Sequence, residues 1–270
     1  MAPSDYHCLR LRVEDGVAVA TLDHPPVNLL DIALIGELDR LGREVEADDA
    51  VRVLVLESAD PEFFVAHADV GLILALPPDA PAAPGPSPFQ RMVDRFRTMP
   101  KATIAKIEGV CRGGGCELAL SCDMRFAALG RAVLAQPEVA VGILPGGSGT
   151  QRLPRLVGRG RALEVVLGAD DLTAEVAERY GLVNRALPPD ELGPFVDRLA
   201  RRIASFPASA TARAKAAVLA AEAPVEPGLA EEARLFQACL AEPEARRRMQ
   251  AFLAAGGQTR EVELALGRTL

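Results

Sequence analysis

The feature that most constrains the fold is a helical pattern enclosed between two apolar strand patterns. Residues 16–23 form an apolar run that favours a β-strand and is broken by the prolines of "HPPVN". The next stretch places Leu34, Leu38 and Leu41 at helical spacing. Residues 51–58 then return to a strand rich in Val and Leu. A helix between two such strands is typical of a crossover unit, so we expect an α/β fold.

Strand and helix patterns alternate to about residue 190, after which nearly every segment has helical composition. The sequence therefore predicts an α/β core over residues 1–195 and a C-terminal helical region over residues 196–270. With 49% hydrophobic residues in a chain of 270, there is ample material for a large core. Residues 77–89 are rich in proline, so we expect a loop or lid there.

The charge and cysteine content argue against several classes of protein. A net charge of −7 disfavours a nucleic-acid-binding surface as the main function. No apolar stretch approaches the roughly 20 residues that cross a membrane, and the N-terminus has no apolar signal core. The five cysteines lack metal-type spacing, which favours free thiols in a reducing compartment. We therefore expect a cytoplasmic protein that binds neither nucleic acid nor membranes and holds no metal.

Three consecutive glycines, residues 113–115, lie between a predicted strand and a predicted helix. Glycines at a helix N-terminus let an oxygen atom approach the backbone N–H groups, and that oxygen could belong to a phosphate or to an enolate. A phosphate loop normally continues with Lys and Ser or Thr, whereas Cys116 and Glu117 follow here. A carboxylate beside a polarised carbonyl could act as base or acid. The residues alone leave a second interpretation open, in which the glycines only allow close packing and Glu117 faces water.

Two further segments could contribute to a site. Glu138 follows Pro137 in an otherwise apolar run, so it is either desolvated with a raised pKa or exposed at an edge. The stretch "EFFVAHADV", residues 62–70, has small residues that could supply another backbone N–H group. Asp69 is predicted to cap the helix that follows.

Taken together, "RGGGCELALSCD" and "QPEVAVGILPGGSGTQRL" resemble the crotonase superfamily, the enoyl-CoA hydratase/isomerase group. The match runs in order over roughly the first 190 residues and continues more loosely through the C-terminal helices. The resemblance implies a crotonase-like spiral of ββα units followed by helices that form homotrimers, often paired as hexamers. It also implies an acyl-CoA substrate, with no cofactor beyond the coenzyme A of that substrate.

Carried over to this sequence, the resemblance assigns the two oxyanion-hole N–H groups to Ala68 and Gly114. It assigns Glu117 and Glu138 to a catalytic pair that flanks a water molecule adding across the C2=C3 double bond. Isomerases of the group need only the acid equivalent to Glu138. The substrate-binding positions that it implies are Ala66, His67, Asp69, Val70 and Gly113.

The sequence departs from the family pattern at two points. His67 stands where the family usually has glycine, and it could narrow the path for coenzyme A, add a polar group to the site, or bond locally. We expect local bonding. The lysines that often meet the phosphates of coenzyme A are missing, which leaves Lys101, Lys106, Arg112 and C-terminal arginines as candidates. Enoyl-CoA isomerisation, another enolate reaction, or acyl-CoA binding without turnover therefore remain alternatives to hydration.

Overall fold

The computed structural model describes residues 6–77, 85–222 and 226–265. Ten strands are described: β1 Leu9–Glu14, β2 Val17–Leu22, β3 Val53–Ser58, β4 Phe63–Val65, β5 Ala102–Ile107, β6 Val110–Arg112, β7 Met124–Ala128, β8 Val133–Ala135, β9 Leu172–Thr173 and β10 Arg185–Leu187. Twelve α-helices are described: α1 Ile32–Ala47, α2 Val70–Leu74, α3 Pro88–Thr98, α4 Gly114–Leu120, α5 Gly149–Val157, α6 Arg159–Gly168, α7 Ala174–Tyr180, α8 Pro189–Ala204, α9 Ala208–Leu219, α10 Glu226–Ala241, α11 Pro243–Ala254 and α12 Arg260–Ala265. A short 3-10 turn covers Glu138–Val141.

The strands divide between two sheets in a repeating manner. The first sheet has the order β1-β2-β3-β5-β7-β10, and the second has the order β4-β6-β8-β9. Strands β2 to β10 of the first sheet run parallel, and β1 pairs antiparallel with β2. Successive strands such as β3 and β4, or β5 and β6, thus enter different sheets before a helix returns the chain. This confirms the predicted crossover and the spiral of ββα units.

The core lies on both faces of the six-stranded sheet. One face packs against α1 and its neighbours, where Leu34, Leu38 and Leu41 of α1 are fully buried as the helical spacing predicted. Asp31 caps this helix by accepting a hydrogen bond from the Leu34 N–H at 2.9 Å. The other face is covered by α8, whose Leu192 is buried against the strands. The sheet is therefore shielded from water on both sides, as expected for parallel strands.

Several boundaries differ from the sequence prediction. The apolar run around Glu138 is strand only in β8, and Glu138 itself begins the 3-10 turn. The predicted loop over residues 77–89 ends earlier, because Ser87 caps α3 and Pro88 occupies its first turn. Residues 78–84 of that loop lie outside the described residues.

The C-terminal helices fold back on the body: α10 packs on α5, and α11 packs on α2 and on the 3-10 turn. The predicted domain boundary between residues 195 and 196 falls inside α8, and the division stays a prediction. Among the described residues, no helix has the length and apolar character needed to cross a membrane.

Candidate active site

Each of the three consecutive glycines has a different structural reason. Gly113 has φ +50°, a left-handed conformation that favours glycine. A Cβ atom at Gly115 would lie 2.6 Å from Cβ of Val65, so this glycine lets α4 touch β4. Gly114 is the first residue of α4, and none of the described residues accepts a hydrogen bond from its N–H.

The loop after β4 brings a second backbone N–H to the same place. The Leu30 N–H donates to the carbonyl of His67 at 3.0 Å, and the Asp69 N–H donates to the carbonyl of Leu30 at 3.0 Å. The N–H of Ala68, between them, has no acceptor within the described part of the chain. A Cβ atom built on Gly114 would lie 3.5 Å from the nitrogen of Ala68. The structure therefore places the two predicted oxyanion donors side by side.

Glu117 extends from α4 into the interior and is 2% exposed. Its Oε1 accepts hydrogen bonds from the N–H groups of Gly147 and Gly149, both at 2.7 Å. Burial raises the pKa of Glu117 well above its ordinary value, the charges of Glu138 and Glu232 raise it further, and the two N–H donors oppose this shift. The interpretation of Glu117 as a solvent-facing helix acid is therefore wrong.

Glu138 approaches the glycines from the 3-10 turn that it begins. A Cβ atom at Gly113 would lie 3.0 Å from Glu138 Oε1, which places this carboxylate beside the first of the three glycines. Burial raises the pKa of Glu138 to about 8; its own backbone N–H opposes this shift, and Cys116 and Glu232 add smaller increases. The Gln136 amide also lies beside it, and turned to donate, its nitrogen is 3.2 Å from Glu138 Oε2.

A third buried carboxylate, Glu232 of α10, was not among the predicted site residues. Its Oε1 accepts from the N–H of Ser148 at 2.8 Å, and its Oε2 accepts from the N–H of Thr150 at 3.1 Å. Consecutive amides of residues 147–150 therefore point alternately to Glu117 and to Glu232. The sequence signal was weak, since Glu232 is one of several acids in a helical run. Its burial follows from how α10 packs on α5.

His67 and Glu263 form a second arrangement that the sequence did not reveal. Nε2 of His67 lies 2.9 Å from Oε1 of Glu263, and Nδ1 lies 2.8 Å from the carbonyl oxygen of Ala68. The ring also meets the edge of Phe252, with centroids 5.8 Å apart. The expectation of local bonding by His67 therefore agrees with these contacts.

The remaining predicted substrate-binding residues are held mainly by protein contacts. The Ala66 N–H donates to the carbonyl of Val27 at 3.1 Å. Asp69 caps α2 by accepting from the Gly71 N–H at 2.8 Å, which confirms the predicted cap. The Val70 side chain is buried in a cluster with residues of α11. Contact of Ala66, Asp69 or Val70 with a substrate stays a prediction.

The cations considered for coenzyme A binding are engaged elsewhere. Lys106 lies 2.7 Å from Glu57, and buried Arg112 makes a two-pronged ion pair with Asp171 at 2.7 Å. Lys101 is buried and donates to a backbone carbonyl. The structure does not bring these side chains to the carboxylate pair. Within residues 6–77, 85–222 and 226–265, no group of three or more His, Cys, Asp or Glu residues is arranged to hold a metal ion.

A cavity of about 610 Å³ opens near the C-terminal end of α4. Cys122, Asp123 and Lys215 are among its lining residues, and Lys215 already pairs with Asp123 at 2.8 Å. Neither Glu117 nor Glu138 is among the described residues that line it. We therefore locate the candidate site at the carboxylate pair and not in this cavity.

Comparison with known proteins agrees with this geometry. The family profile described as "Enoyl-CoA hydratase/isomerase" matches residues 12–258. A crotonyl-CoA hydratase from Syntrophomonas wolfei is 36% identical over 250 residues, covering 92% of this chain and 95% of that protein. A short-chain-enoyl-CoA hydratase from Clostridium acetobutylicum is 34% identical over 245 residues, covering 90% and 93%.

Solved structures show the same likeness. The structure of a candidate enoyl-CoA hydratase from Streptomyces avermitilis superposes with a TM-score of 0.90 at 42% identity, covering 97% of each chain. An enoyl-CoA hydratase from Mycobacterium avium subsp. paratuberculosis gives a TM-score of 0.81 at 26% identity, covering 92% of this chain and 96% of that one. With its ββα spiral, its paired N–H groups and this extent of match, the chain belongs to the enoyl-CoA hydratase/isomerase family, the crotonase superfamily.

Proposed function

We propose that the protein hydrates 2-enoyl-CoA thioesters by adding water across the C2=C3 double bond. It is an enoyl-CoA hydratase-like enzyme of the crotonase type by its family and by relatives named as hydratases. One observation supports the reaction most directly. Two carboxylates with raised pKa values, Glu117 and Glu138, lie beside two backbone N–H groups that lack acceptors among the described residues.

The two N–H groups, of Ala68 and Gly114, would bind the thioester carbonyl oxygen. Attack of water at C3 moves negative charge onto this oxygen as the enolate forms. Donors that are already oriented stabilise the developing charge more than they stabilise the neutral substrate, so they lower the barrier. Loss of one such donor typically costs about 3 to 4 kcal/mol of transition-state stabilisation. The Gly114 N–H is fixed by α4, and the Ala68 N–H is fixed by the hydrogen bonds of Leu30 to His67 and Asp69. Such backbone donors suit this role because they do not reorganise during the reaction.

The environments of the two carboxylates support different roles. Glu117 accepts two N–H hydrogen bonds on one oxygen; they oppose the rise of its pKa and fix that oxygen in place, which suits the group that orients the water and takes its proton. Glu138, with a pKa of about 8, keeps its proton at neutral pH and suits an acid that protonates C2. The hydroxyl bond to C3 and the new C2–H bond replace the π bond. The pair returns to its starting state when the proton on Glu117 passes to Glu138 through solvent.

The acyl chain would extend past Phe89 of α3. A Cβ atom at Gly147 would lie 2.2 Å from Cε1 of Phe89 and 2.4 Å from Oε2 of Glu117, so Phe89 is close to the reacting centre. This contact supports an acyl site bordered by the start of α3, next to the proline-rich segment.

Loss of the conjugated-thioester absorbance of crotonyl-CoA tests the proposal. Wild-type protein should remove this absorbance, and a protein that only binds acyl-CoA should leave it unchanged. A 3-enoyl-CoA substrate serves as the second arm, because an isomerase would create the conjugated absorbance from it. If the protein forms conjugated product from the 3-enoyl substrate yet leaves crotonyl-CoA intact, isomerisation replaces hydration as the function.

We also propose that the protein assembles as a homotrimer or as a hexamer of two trimers, in the cytoplasm, without a metal or redox cofactor. Exposed apolar side chains support assembly: Ile32 is 72% exposed, Leu167 66% and Val218 70%. Free cysteines support a reducing compartment. Hydration is redox-neutral, and the two carboxylates can supply its proton transfers. Light scattering should give three or six times the chain mass, and dialysis against a chelator should leave hydration unchanged.

A further inference from the structure

The segment 256–265 near the C-terminus folds back on the loop that carries Ala68. The Gln258 side chain accepts from the Val70 N–H at 3.0 Å and donates to Asp69 at 3.0 Å. In α12, Arg260 forms ion pairs with Asp60 and Glu62, just before β4. These contacts attach the last described helix to the loop that positions one oxyanion donor.

At the centre of this contact lies the His67 ring, 7% exposed, between two hydrogen-bond acceptors. The carbonyl oxygen of Ala68 can only accept, so Nδ1 of His67 carries a hydrogen. On the other side, Nε2 faces Oε1 of Glu263, which already accepts from the N–H of Gln258 at 2.7 Å. Which nitrogens carry hydrogens therefore depends on whether Glu263 is ionised.

Several contacts at Oε1 favour the ionised form of Glu263, whereas its buried Oε2 has no hydrogen-bond partner among the described residues. Its side chain is fully buried, and burial alone would raise its pKa. The hydrogen bond and charge of His67, the N–H of Gln258 and the charge of Arg112 outweigh burial and hold the pKa of Glu263 below its usual value. An ionised carboxylate can only accept, so this form of Glu263 suits a hydrogen bond from the His67 ring at Nε2.

We propose that His67 and Glu263 form a buried hydrogen-bonded pair that positions the Ala68 N–H for the thioester oxygen. The inference rests on the proposed function and goes beyond it, because it assigns a role to two residues outside the oxyanion hole. His67 immediately precedes Ala68, and its Nδ1–H holds the Ala68 carbonyl, which fixes the backbone of Ala68 on the side away from its N–H bond. Glu263 anchors the ring, and Arg112 in turn donates to the Glu263 carbonyl at 2.8 Å. The pair thus acts through Ala68 and does not touch the substrate.

The expected effect follows from the geometry of the donor. Displacement of a catalytic group by about 1 Å can lower the rate by about 100-fold. In His67→Ala, the Ala68 peptide loses its side-chain support, so we expect kcat for crotonyl-CoA to fall about 10- to 100-fold. KM should change less than kcat, because an oxyanion donor contributes most in the transition state.

A double-mutant cycle tests the pairing. Glu263→Ala should lower kcat to a similar degree, and the double variant should lose no more than the worse single variant, because the residues act as one unit. Glu263→Gln keeps an acceptor for His67 and should recover part of the rate. Glu261→Gln removes a carboxylate from the exposed side of the same helix and should leave kcat unchanged. Additive losses, or an unchanged kcat in His67→Ala, would overturn the proposal.

A spectroscopic readout separates positioning from a purely structural role. The probe is 4-dimethylaminocinnamoyl-CoA, whose absorption moves to longer wavelength when its thioester carbonyl accepts strong hydrogen bonds. The bound wild-type protein should shift this band, and His67→Ala should shift it less at saturating protein. If wild type shifts the band yet does not hydrate crotonyl-CoA, the proposed function fails while the positioning role stands. If wild type hydrates crotonyl-CoA and the variant shifts the band equally, the positioning role fails alone.

Ring protonation can be measured on the wild-type protein itself, so the test does not depend on a variant that folds. The chain has three histidines, and His7→Gln and His24→Gln assign the other two signals. Nitrogen-15 NMR should show a hydrogen on Nδ1 of His67, the nitrogen that faces the Ala68 carbonyl. A ring whose Nδ1 carries no hydrogen would overturn the proposal.

Discussion

The two carboxylates of the site are close together but are held by very different parts of the molecule. Glu117 belongs to α4, a helix whose seven residues are all buried, and its oxygen is fixed by two backbone N–H groups. Glu138 is only half-buried on a short 3-10 turn, where no residue is fully buried and where α11 packs from the C-terminal region. The part of the site around α4 and Glu117, here called the rigid side, belongs to the core. The part around the 3-10 turn and Glu138, here called the edge side, lies at an edge that α11 covers.

This difference gives the two carboxylates different hydrogen-bond partners, and the proposed roles of base and acid depend on it. The pKa values of both carboxylates are raised by burial; two amides of the segment after the 3-10 turn oppose the rise at Glu117, whereas its own backbone N–H opposes the rise at Glu138. We expect the rigid side to fix the position of the reacting groups and the edge side to set the pKa of Glu138. The following predictions test this division, beginning with the largest effect.

Replacing either carboxylate should have the largest effect. In Glu117→Gln and in Glu138→Gln, we expect hydration of crotonyl-CoA to fall about 100- to 10,000-fold, the usual contribution of a general acid or base. Steady-state kinetics gives the rates, and circular dichroism checks that both variants fold. The division of roles would be broken if Glu117→Gln kept full hydration. It would be sharpened if 3-enoyl-CoA isomerisation, measured in parallel, depended on Glu138 alone.

The rigidity of the α4 side can be tested with a single methyl group. In Gly114→Ala, the new Cβ would lie 3.1 Å from Cδ1 of Leu30 and 3.2 Å from Cβ of Ala68, both closer than ordinary contact. The neighbouring donors must separate, so kcat should fall about 10- to 100-fold. The matched control is Gly160→Ala in α6, where nothing lies within 4 Å of the added Cβ. An unchanged kcat in Gly114→Ala would show that Leu30 and Ala68 can move to accept the methyl group, so that α4 does not hold the two N–H donors rigidly.

The raised pKa of Glu138 on the edge side should make the free energy of unfolding depend on pH. The pKa of Glu138 is about 8 in the folded protein, and an ordinary glutamate in the unfolded chain titrates near pH 4.3. Between these values the folded state binds more protons, so the free energy of unfolding falls as pH rises. Glu138→Gln removes this loss and should be the more stable protein above about pH 8, by on the order of 1 to 3 kcal/mol. Urea unfolding at several pH values measures the difference, and equal slopes for both proteins would contradict it.

The sequence predicted the rigid side better than the edge side. Local signals determine the rigid side: the leucines of α1, the three glycines and the Asp69 cap all follow from backbone sterics and helix periodicity. Glu117 could be placed at the start of its helix from the same pattern. Whether it is buried could not, because that depends on the distant amides of Gly147 and Gly149.

The edge side depends on long-range packing that leaves little trace in local sequence. The apolar run around Glu138 did not reveal the 3-10 turn that begins there or the packing of α11 on it. Likewise, His67 is 196 positions from Glu263, and nothing in either segment predicts the other. Glu232 looks like any other surface acid of a helix until α10 docks on α5.

Glu232 interacts with both Glu117 and Glu138, and its replacement is expected to have the smallest effect of the changes considered. It shares the amides of residues 147–150 with Glu117, and its charge raises the pKa of both Glu117 and Glu138. Glu232→Gln keeps an oxygen that can accept from Ser148 but removes the charge. The pKa values of the pair should therefore fall, and the limbs of the pH profile of kcat/KM should move to lower pH, by about one unit or less.

The neighbouring Glu231→Gln is the matched control, because Glu231 is exposed on the same helix and pairs with Arg234 at 2.8 Å. Its pH profile should coincide with that of wild type. If Glu232→Gln moves only one limb, that limb belongs to the carboxylate that Glu232 influences more, and the rigid and edge sides titrate separately. If both limbs move together, the two carboxylates share their protons as one unit. If the pH profile does not move, the charge of Glu232 has no effect on the pKa values of Glu117 and Glu138. The amides between them would then shield the two carboxylates from α10.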